Sequence, residues 1–551
     1  MDPRNAAIFY QREAFTTGLP KLMGRNAAGE SFLTGFARHA PVERLIAYAR
    51  DPAEFGHFQR HVAAHSPRPA DWIAHGDQAR LAEAGTLFLY APGLSEFCWQ
   101  RSFAGSGSYG IVGLTHTISS DRVMDDLGQL MVAPTEPWDA LICTSESVRR
   151  TISGVLDDWA AYLGERFGAP PPALRPQLSV IPLGLNCDDF APADAEAKRA
   201  AFRRAHGIAD DETAFLFVGR LSFHAKAHPL PMYLALERAA RETGRAVTFI
   251  LGGYFFNDAI RTQFLEGAKR FCPSVRLVQV DARRPELRAG AWAAGDVFLS
   301  FSDNIQESFG LAPLEAMAAG LPAIVSDWDG YRDTVVEGET GLFVPTAMPA
   351  PGNGEELARR YLAGLDTYDL YIGNAGQSTA VDVEAATRAC IALIRDPARR
   401  RALGGAGRER ARRLFDWRAV VPRYQDLWAE LAARRAAGQG RQRQPPLRSD
   451  PFSVFRAFPT RAIGPDTPVR LLARDPRAGI AALAASGMNN FSLPLMLTAQ
   501  ELERVVAHLE KVGKAIPVRD LQALLPPDRH ARLVRQVGWL AKGGLVALGE
   551  N

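Results

Sequence analysis

No stretch of this chain stays apolar long enough to cross a bilayer. The longest such run, Ala246 to Phe256, is broken by Thr248, Gly252 and Gly253, well short of the roughly 18 residues a spanning helix needs. Cysteine is scarce as well: Cys98, Cys143, Cys187, Cys272 and Cys390 lie far apart with no CxxC spacing. An odd, scattered set argues against a disulfide framework or a zinc site and reads as reduced thiols. The opening MDPRNAAIFYQREAF carries charges throughout and lacks the apolar centre of a signal peptide. The expectation is a cytoplasmic chain with no integral membrane part.

A strong overall charge is also missing. The net value is +3 over 551 residues, but it is unevenly spread. Residues 1–200 carry 18 Lys/Arg against 23 Asp/Glu, and residues 201–395 carry 19 against 24. Two mildly acidic blocks exclude nucleic acid as the main partner, because that needs a basic face on the binding domain. Residues 396–448 carry 14 basic against 5 acidic side chains, and residues 449–551 carry 13 against 9. The first of these stretches reads as a solvated helix face running into a linker, and it leaves room for peripheral contact with anionic lipid.

What is present is a repeated strand and helix pattern. Hydrophobic residues make up 47% of the chain, enough for several cores, and the length suggests more than one domain. Strand candidates in the first half are Arg44–Ala49, Thr86–Ala91, Gly110–Thr115, Ala140–Thr144 and Leu178–Pro182. A second set is Ala214–Val218, Ala246–Leu251, Val275–Val280, Val297–Phe301, Pro322–Ser326 and Leu342–Val344. Their runs are continuous rather than alternating and are separated by helix-length segments, as in parallel strands buried on both faces. Two sets imply two Rossmann-like, doubly wound α/β domains facing a cleft, with ligands at the carboxyl ends of the strands.

The expected boundaries are an N-terminal domain over 1–200 and a second over 205–415. A helix over 416–437 follows, capped by Asp416 and carrying Val420, Val421, Tyr424, Leu427, Trp428 and Leu431 at helical spacing. The Gly-, Gln- and Pro-rich stretch 438–450 reads as a linker. Residues 451–551 read as a small helical module: Thr498 and Glu501 form a capping box, and Gly513 ends that helix. Further helices are expected around Val518–Leu525 and Leu533–Leu540. A winged-helix DNA binder is one thought for three short helices, but no dense basic recognition helix is present, and a protein-contact role fits better.

The stretch from Ser300 to Pro345 is richest in chemistry. A strand ends near Phe301, a polar loop follows, and a helix is expected to start at Pro313 and stop at Gly320. Glu307 then lies in the loop and Glu315 in the first helical turn. Between them Ser308, Phe309, Gly310 and Leu311 offer backbone N–H groups at a helix N-terminus, a natural anion cradle. Carboxylates beside such a cradle accept hydrogen bonds from sugar or ribose hydroxyls. Upstream, Gly219-Arg220-Leu221 ends the first strand of the second set, with Lys226 close behind; two fixed cations suit a leaving diphosphate.

Glu307-Ser-Phe-Gly-Leu-Ala-Pro-Leu-Glu315 followed by Gly320-Leu-Pro-Ala-Ile-Val-Ser resembles the Glu-x7-Glu signature of glycosyltransferase family 4. The match extends to Gly219, Arg220 and Lys226, although Ala227 stands where the family usually has glycine. It includes His116 at the end of Gly110–Thr115, which the resemblance places against the transferred sugar. It also includes Asp139–Ser145 and Val180–Phe190, and covers roughly residues 20 to 435. The segment Gly24–Phe36 is similar to the family's first strand–helix loop, with Gly29 near the donor phosphate.

The resemblance implies a GT-B fold, retention of anomeric configuration and a nucleotide-diphosphate sugar as donor. It places the base near Val280 and Asp281, and it implies that the helix over 417–433 packs back on the first domain. Asp327-Trp-Asp329 has the spacing of a metal-binding DxD, but it leads from a strand into Gly330 and reads as a turn or acceptor-side loop, and two carboxylates alone hold magnesium poorly. No obligatory metal or other cofactor is expected. Near Gly330, Asp333 stands where the family more often has glutamate, a change read as concerning the acceptor. The assigned roles are Arg220 and Lys226 on diphosphate, Glu315 on ribose, Glu307 on donor-sugar hydroxyls and His116 near the transferred sugar. Two rival readings are a GT-B hydrolase or epimerase of a nucleotide sugar, and a catalytically silent scaffold working through residues 451–551.

Overall fold

The computed structural model describes residues 2–17, 24–442 and 444–549. They form two compact units, 1–445 and 446–551. In the first unit seven strands make one parallel sheet: β1 (Ala7–Tyr10), β2 (Leu45–Ala49), β3 (Ala70–Ala74), β4 (Thr86–Leu89), β5 (Gly110–Leu114), β6 (Ala140–Cys143) and β7 (Gln177–Val180). Their order is β3-β2-β1-β4-β5-β6-β7. Six more strands make a second parallel sheet: β8 (Thr213–Val218), β9 (Val247–Gly252), β10 (Arg276–Val280), β11 (Val297–Ser300), β12 (Ala323–Ser326) and β13 (Gly341–Val344), in the order β10-β9-β8-β11-β12-β13. Separate apolar cores cover both faces of each sheet. Every residue of β8 and β9 is therefore buried, which is why these strands read as unbroken hydrophobic runs.

Two strands of the first sheet escape the sequence pattern. β1 is only four residues long and sits inside a charged opening segment, yet it is central in its sheet and pairs with both β2 and β4. β3 is an edge strand whose residues are mostly half-exposed, so it lacks the buried-strand composition. In both sheets the order reverses beside the first strand, between β1 and β4 and between β8 and β11. A crevice opens at the carboxyl ends of strands at such a switch point.

Helix Trp417–Ala437 packs on the first sheet's domain. Trp417 and Trp428 are fully buried; their rings meet Phe32 at 5.6 Å and Phe36 at 5.7 Å. Gly35 permits that approach, since a Cβ there would lie 2.2 Å from the Trp417 ring.

The second unit is helical, and the Thr498–Glu501 capping box and the Gly513 stop are present. Three short strands accompany the helices. Pro468–Leu471 pairs antiparallel with both Ile516–Pro517 and Val546–Leu548, and a further helix spans Pro476–Ala485. Strands of two to four residues are too short to show a period-two pattern.

Candidate functional site

The second sheet's switch point gathers most of the singled-out residues. The loops after β8 and β11, adjacent strands joined in parallel, carry Arg220 and Lys226 on one side and Glu307 on the other. Asn304 stitches the loops together by donating to the His224 carbonyl at 2.7 Å. Arg220 donates through Nη2 to Gln306 Oε1 at 2.8 Å and to the Ala225 carbonyl at 2.9 Å. Lys226 forms an ion pair with Glu307, and both side chains are largely buried.

Their electrostatics follow from that pairing. Burial alone would lower the Lys226 ammonium, but the Glu307 carboxylate more than offsets this and holds it above the usual lysine range. Burial alone would raise Glu307, whereas Lys226 and the Ser308 and Phe309 N–H groups bring it below the usual carboxylate range. The expected anion cradle thus holds Glu307's own carboxylate, with Ser308 N–H donating to Oε1 at 3.4 Å.

The helix begins at Leu311 rather than Pro313, with Gly310 as its N-cap at φ 85°. Glycine is required there, because a Cβ would also meet the Tyr331 ring at 2.1 Å. The earlier start moves Glu315 out of the first turn. Burial raises its carboxyl, with Arg288 and Lys226 pulling the other way. Glu315 has no hydrogen-bond partner among the described residues.

The other predicted residues are more scattered. Gly219 lies at the end of β8, where its N–H donates to the Gly252 carbonyl at 3.0 Å. Asp281 follows β10 and is held by Arg283, whose Nη2 donates to Oδ2 at 2.6 Å; that contact keeps its carboxyl below the ordinary range. Gly29 is a correction: it lies inside helix Gly24–His39, not in a loop. Its hydrogen faces the Ala14 carbonyl, where a Cβ would come within 2.1 Å. A small residue for close packing mimics a phosphate-loop glycine in sequence.

His116 follows β5. Its Nε2–H donates to the Tyr90 carbonyl at 3.3 Å, and the two rings lie 4.7 Å apart. Burial pushes its imidazole down to about 4, so the ring is neutral at pH 7. It reaches the charged cluster only through its neighbours. Ser119 Oγ lies 2.8 Å and Thr117 Oγ1 3.3 Å from the Tyr368 hydroxyl, which accepts from Gln306 Nε2 at 3.1 Å. Gln306 in turn holds Arg220.

Three further contacts join the two domains across the cleft. Thr144 Oγ1 donates to the Ser308 carbonyl at 3.4 Å, Ser145 Oγ to Asp329 Oδ1 at 3.3 Å, and Glu146 N–H to Asp333 Oδ2 at 2.7 Å. The last places a carboxylate on the N-terminus of helix Glu146–Phe167, where the helix dipole favours negative charge. Asp327 is taken up by Arg332 at 2.6 Å, so the two DxD carboxylates have separate partners. Sequence reasoning missed Gln306 and Tyr368, and it singled out Ser145 and Asp329 without foreseeing that they meet. Gln306 adjoins Glu307 and was within reach; Tyr368 lies 249 residues from Ser119 and had no local signal.

A cavity of about 1080 Å³ opens elsewhere, lined by Thr213, Asp296 and Pro322 beside the amino ends of β8, β11 and β12. It includes none of Arg220, Lys226, Glu307 or Glu315. Ligands of open α/β sheets bind at the opposite, carboxyl edge, so the charged cluster is the stronger candidate.

Residues 212–364 match the family model described as glycosyl transferases group 1. Among curated relatives, a D-inositol 3-phosphate glycosyltransferase of Nocardia farcinica is 33% identical over 187 residues, 34% of this chain and 39% of that protein. One of Kineococcus radiotolerans is 28% identical over 330 residues, 55% of this chain and 60% of that protein. The chain thus spans 39% and 60% of the length of these two relatives. Solved structures that align over 78% of the chain include Anabaena HepE, at 16% identity and a TM-score of 0.46. Another is a sucrose-phosphate synthase of Thermosynechococcus elongatus, at 18% and 0.45; each is covered over its full length. The segment matched by the glycosyl transferases group 1 model contains Arg220, Lys226, Glu307 and Glu315.

Proposed function

We propose that this chain is a retaining glycosyltransferase of family 4 with the GT-B fold, moving a sugar from a nucleotide-diphosphate donor to an acceptor hydroxyl. The observation that carries the reading is the meeting of Arg220, Lys226 and Glu307 at the second sheet's switch point. In this reading the donor diphosphate draws Lys226 toward itself and joins it to Arg220, while Glu307 turns to hydroxyls of the sugar. Glu315, without a protein partner, takes the ribose. The base lies near Val280 and Asp281.

The bond from the anomeric carbon to the diphosphate oxygen breaks. The acceptor oxygen bonds to the same face of that carbon, and its proton passes to the departing phosphate. The two cations stabilise the charge gathering on the leaving group. The neutral His116 sits near the transferred sugar without adding charge. The contacts between domains close the cleft and exclude water.

The same reading needs no metal and places the chain in the cytoplasm, where five buried free thiols stay reduced. The names of the relatives make D-inositol 3-phosphate one acceptor to try. Donor binding is tested by thermal shift with a panel of nucleotide sugars, then by released nucleotide in the presence of acceptors, with and without EDTA. Glu315→Ala is expected to abolish the shift. Equal donor affinity and turnover in the parent, Glu315→Ala and Lys226→Ala would sink the proposal.

A further inference from the structure

One residue of the cleft stands apart on two independent counts. Asp329 is the single non-glycine residue with positive φ among the described residues, at 44°. Its Oδ2 atom is buried and has no hydrogen-bond partner. Left-handed backbone is tolerated by aspartate but favours glycine or asparagine. A buried carboxylate oxygen without a partner is unfavourable wherever it occurs. Strain of this sort persists only where surrounding structure enforces it, and it collects at ligand sites.

The surroundings do enforce it, and they place Asp329 on the Glu307 loop. On one side Trp328 Nε1 donates to the Asn304 carbonyl at 3.2 Å. On the other Gly330 packs so closely on Phe309 that a Cβ would lie 2.5 Å from its Cα. The turn is therefore clamped at both ends to the segment that presents Glu307. Across the cleft Ser145 holds Oδ1 at 3.3 Å, which leaves Oδ2 as the open valence.

We propose that Asp329 is a specificity-determining residue whose Oδ2 engages a hydroxyl of the donor sugar beside Glu307. The proposal rests on the reading of this cluster as a nucleotide-sugar site and names a contact that reading does not contain. A purely structural turn would be better served by glycine, which relieves both the backbone and the stranded oxygen. Burial, then the nearby Glu307 and Asp333 charges, push the Asp329 carboxyl up to about 8, with Ser145 and the Gly330 N–H acting the other way. Near neutral pH the group is therefore held largely as the acid, able both to donate to and to accept from a sugar hydroxyl.

The test compares the full-length parent with Asp329→Gly and Asp329→Asn, both of which accept left-handed backbone. Affinities are measured for UDP and GDP and for UDP-glucose, UDP-N-acetylglucosamine and GDP-mannose. The quantity read is the ratio of nucleotide-sugar to nucleotide affinity for the best-bound pair. In Asp329→Gly this ratio is expected to fall about three- to tenfold, as for one lost hydrogen bond, with nucleotide affinity unchanged. Asp329→Asn, which keeps an acceptor and a donor, recovers part of the loss. Without ligand, Asp329→Gly unfolds no earlier than the parent.

An unchanged ratio in Asp329→Gly overturns the proposal. So does markedly earlier unfolding of that variant, the mark of a structural residue. If the parent binds none of the five probes, the donor reading itself falls and takes this one with it. That failure is recognisable because it appears before any substitution is made.

Discussion

The two parallel sheets of the first unit share one strand order around their switch points, yet they are furnished differently. The first sheet's carboxyl edge presents mainly neutral groups to the cleft: His116, Thr117, Ser119, Thr144 and Ser145. The fully buried ion pair of this domain, Arg101 with Asp139 at 2.6 and 2.7 Å, lies at the other, amino end of β6. The second sheet's edge presents Arg220, Lys226, Glu307, Glu315 and Asp329. Topology thus supplies two equivalent crevices, and the loop residues gather a buried ion pair in the second. The same backbone logic serves a cluster of charged side chains on one side and hydrogen-bonding hydroxyls on the other.

Separate substitutions break this division of labour. The largest effect is expected from Asp139→Ala, which strands the buried Arg101 guanidinium and costs about 3–5 kcal/mol of stability. Chemical denaturation reads the loss, and the donor affinity of the fraction that stays folded should be unaltered. If donor affinity collapses with it, the two domains do not divide the work as described.

Lys226→Ala is expected to cut turnover on the order of 10²- to 10³-fold, the usual loss when a fixed group stabilising transition-state charge is removed. Steady-state kinetics at saturating donor give the comparison. Glu307→Gln is expected to follow the same direction, because it removes the carboxylate that holds the ammonium in place.

The contacts between the domains should matter less. Asp333→Ala removes the carboxylate from the N-terminus of helix Glu146–Phe167 and is expected to weaken closure by about 1 kcal/mol. That appears as a roughly fivefold rise in donor KM with unfolding little changed. Tyr368→Phe, which breaks the link from Gln306 to Ser119 and Thr117, should behave alike and more weakly.

A pH trend is expected as well. Asp329 has its carboxyl raised from 3.8 to about 8 in the fold. Between those values the folded state keeps a proton that the unfolded chain has lost, so this group's contribution to stability falls as pH rises through the window and levels off above 8. Asp329→Asn carries no such proton. Its melting temperature should gain on the parent's by a few degrees between about pH 5 and pH 8. A constant difference across that range would contradict the burial of the acid.

Local chemistry carried much of the site into view. Glu307 and Glu315 sit eight positions apart around a glycine and a helix start, and Arg220 and Lys226 close a buried strand. Each signal is short-range, set by where a strand ends and a helix begins. Gly29 shows the limit of such reasoning, since a glycine needed for packing against Ala14 looks the same in sequence as one needed near a phosphate. The short β1 and the three small strands of the second unit failed for a related reason, as too few residues expose a period.

By itself the sequence determined two sets of buried parallel strands, the ends that bear charge, and the caps that start and stop the helix Ala499–Val512. These follow from hydrophobic periodicity and from backbone groups that need local partners. Only the tertiary structure decided that β8 and β11 lie side by side, so that Lys226 meets Glu307. It alone decided that Tyr368 bridges to Ser119, and that Asp329 is wedged between domains with one oxygen unpaired. Those facts arise when distant segments pack and water leaves, and no periodicity along the chain encodes which side chains are then left facing one another.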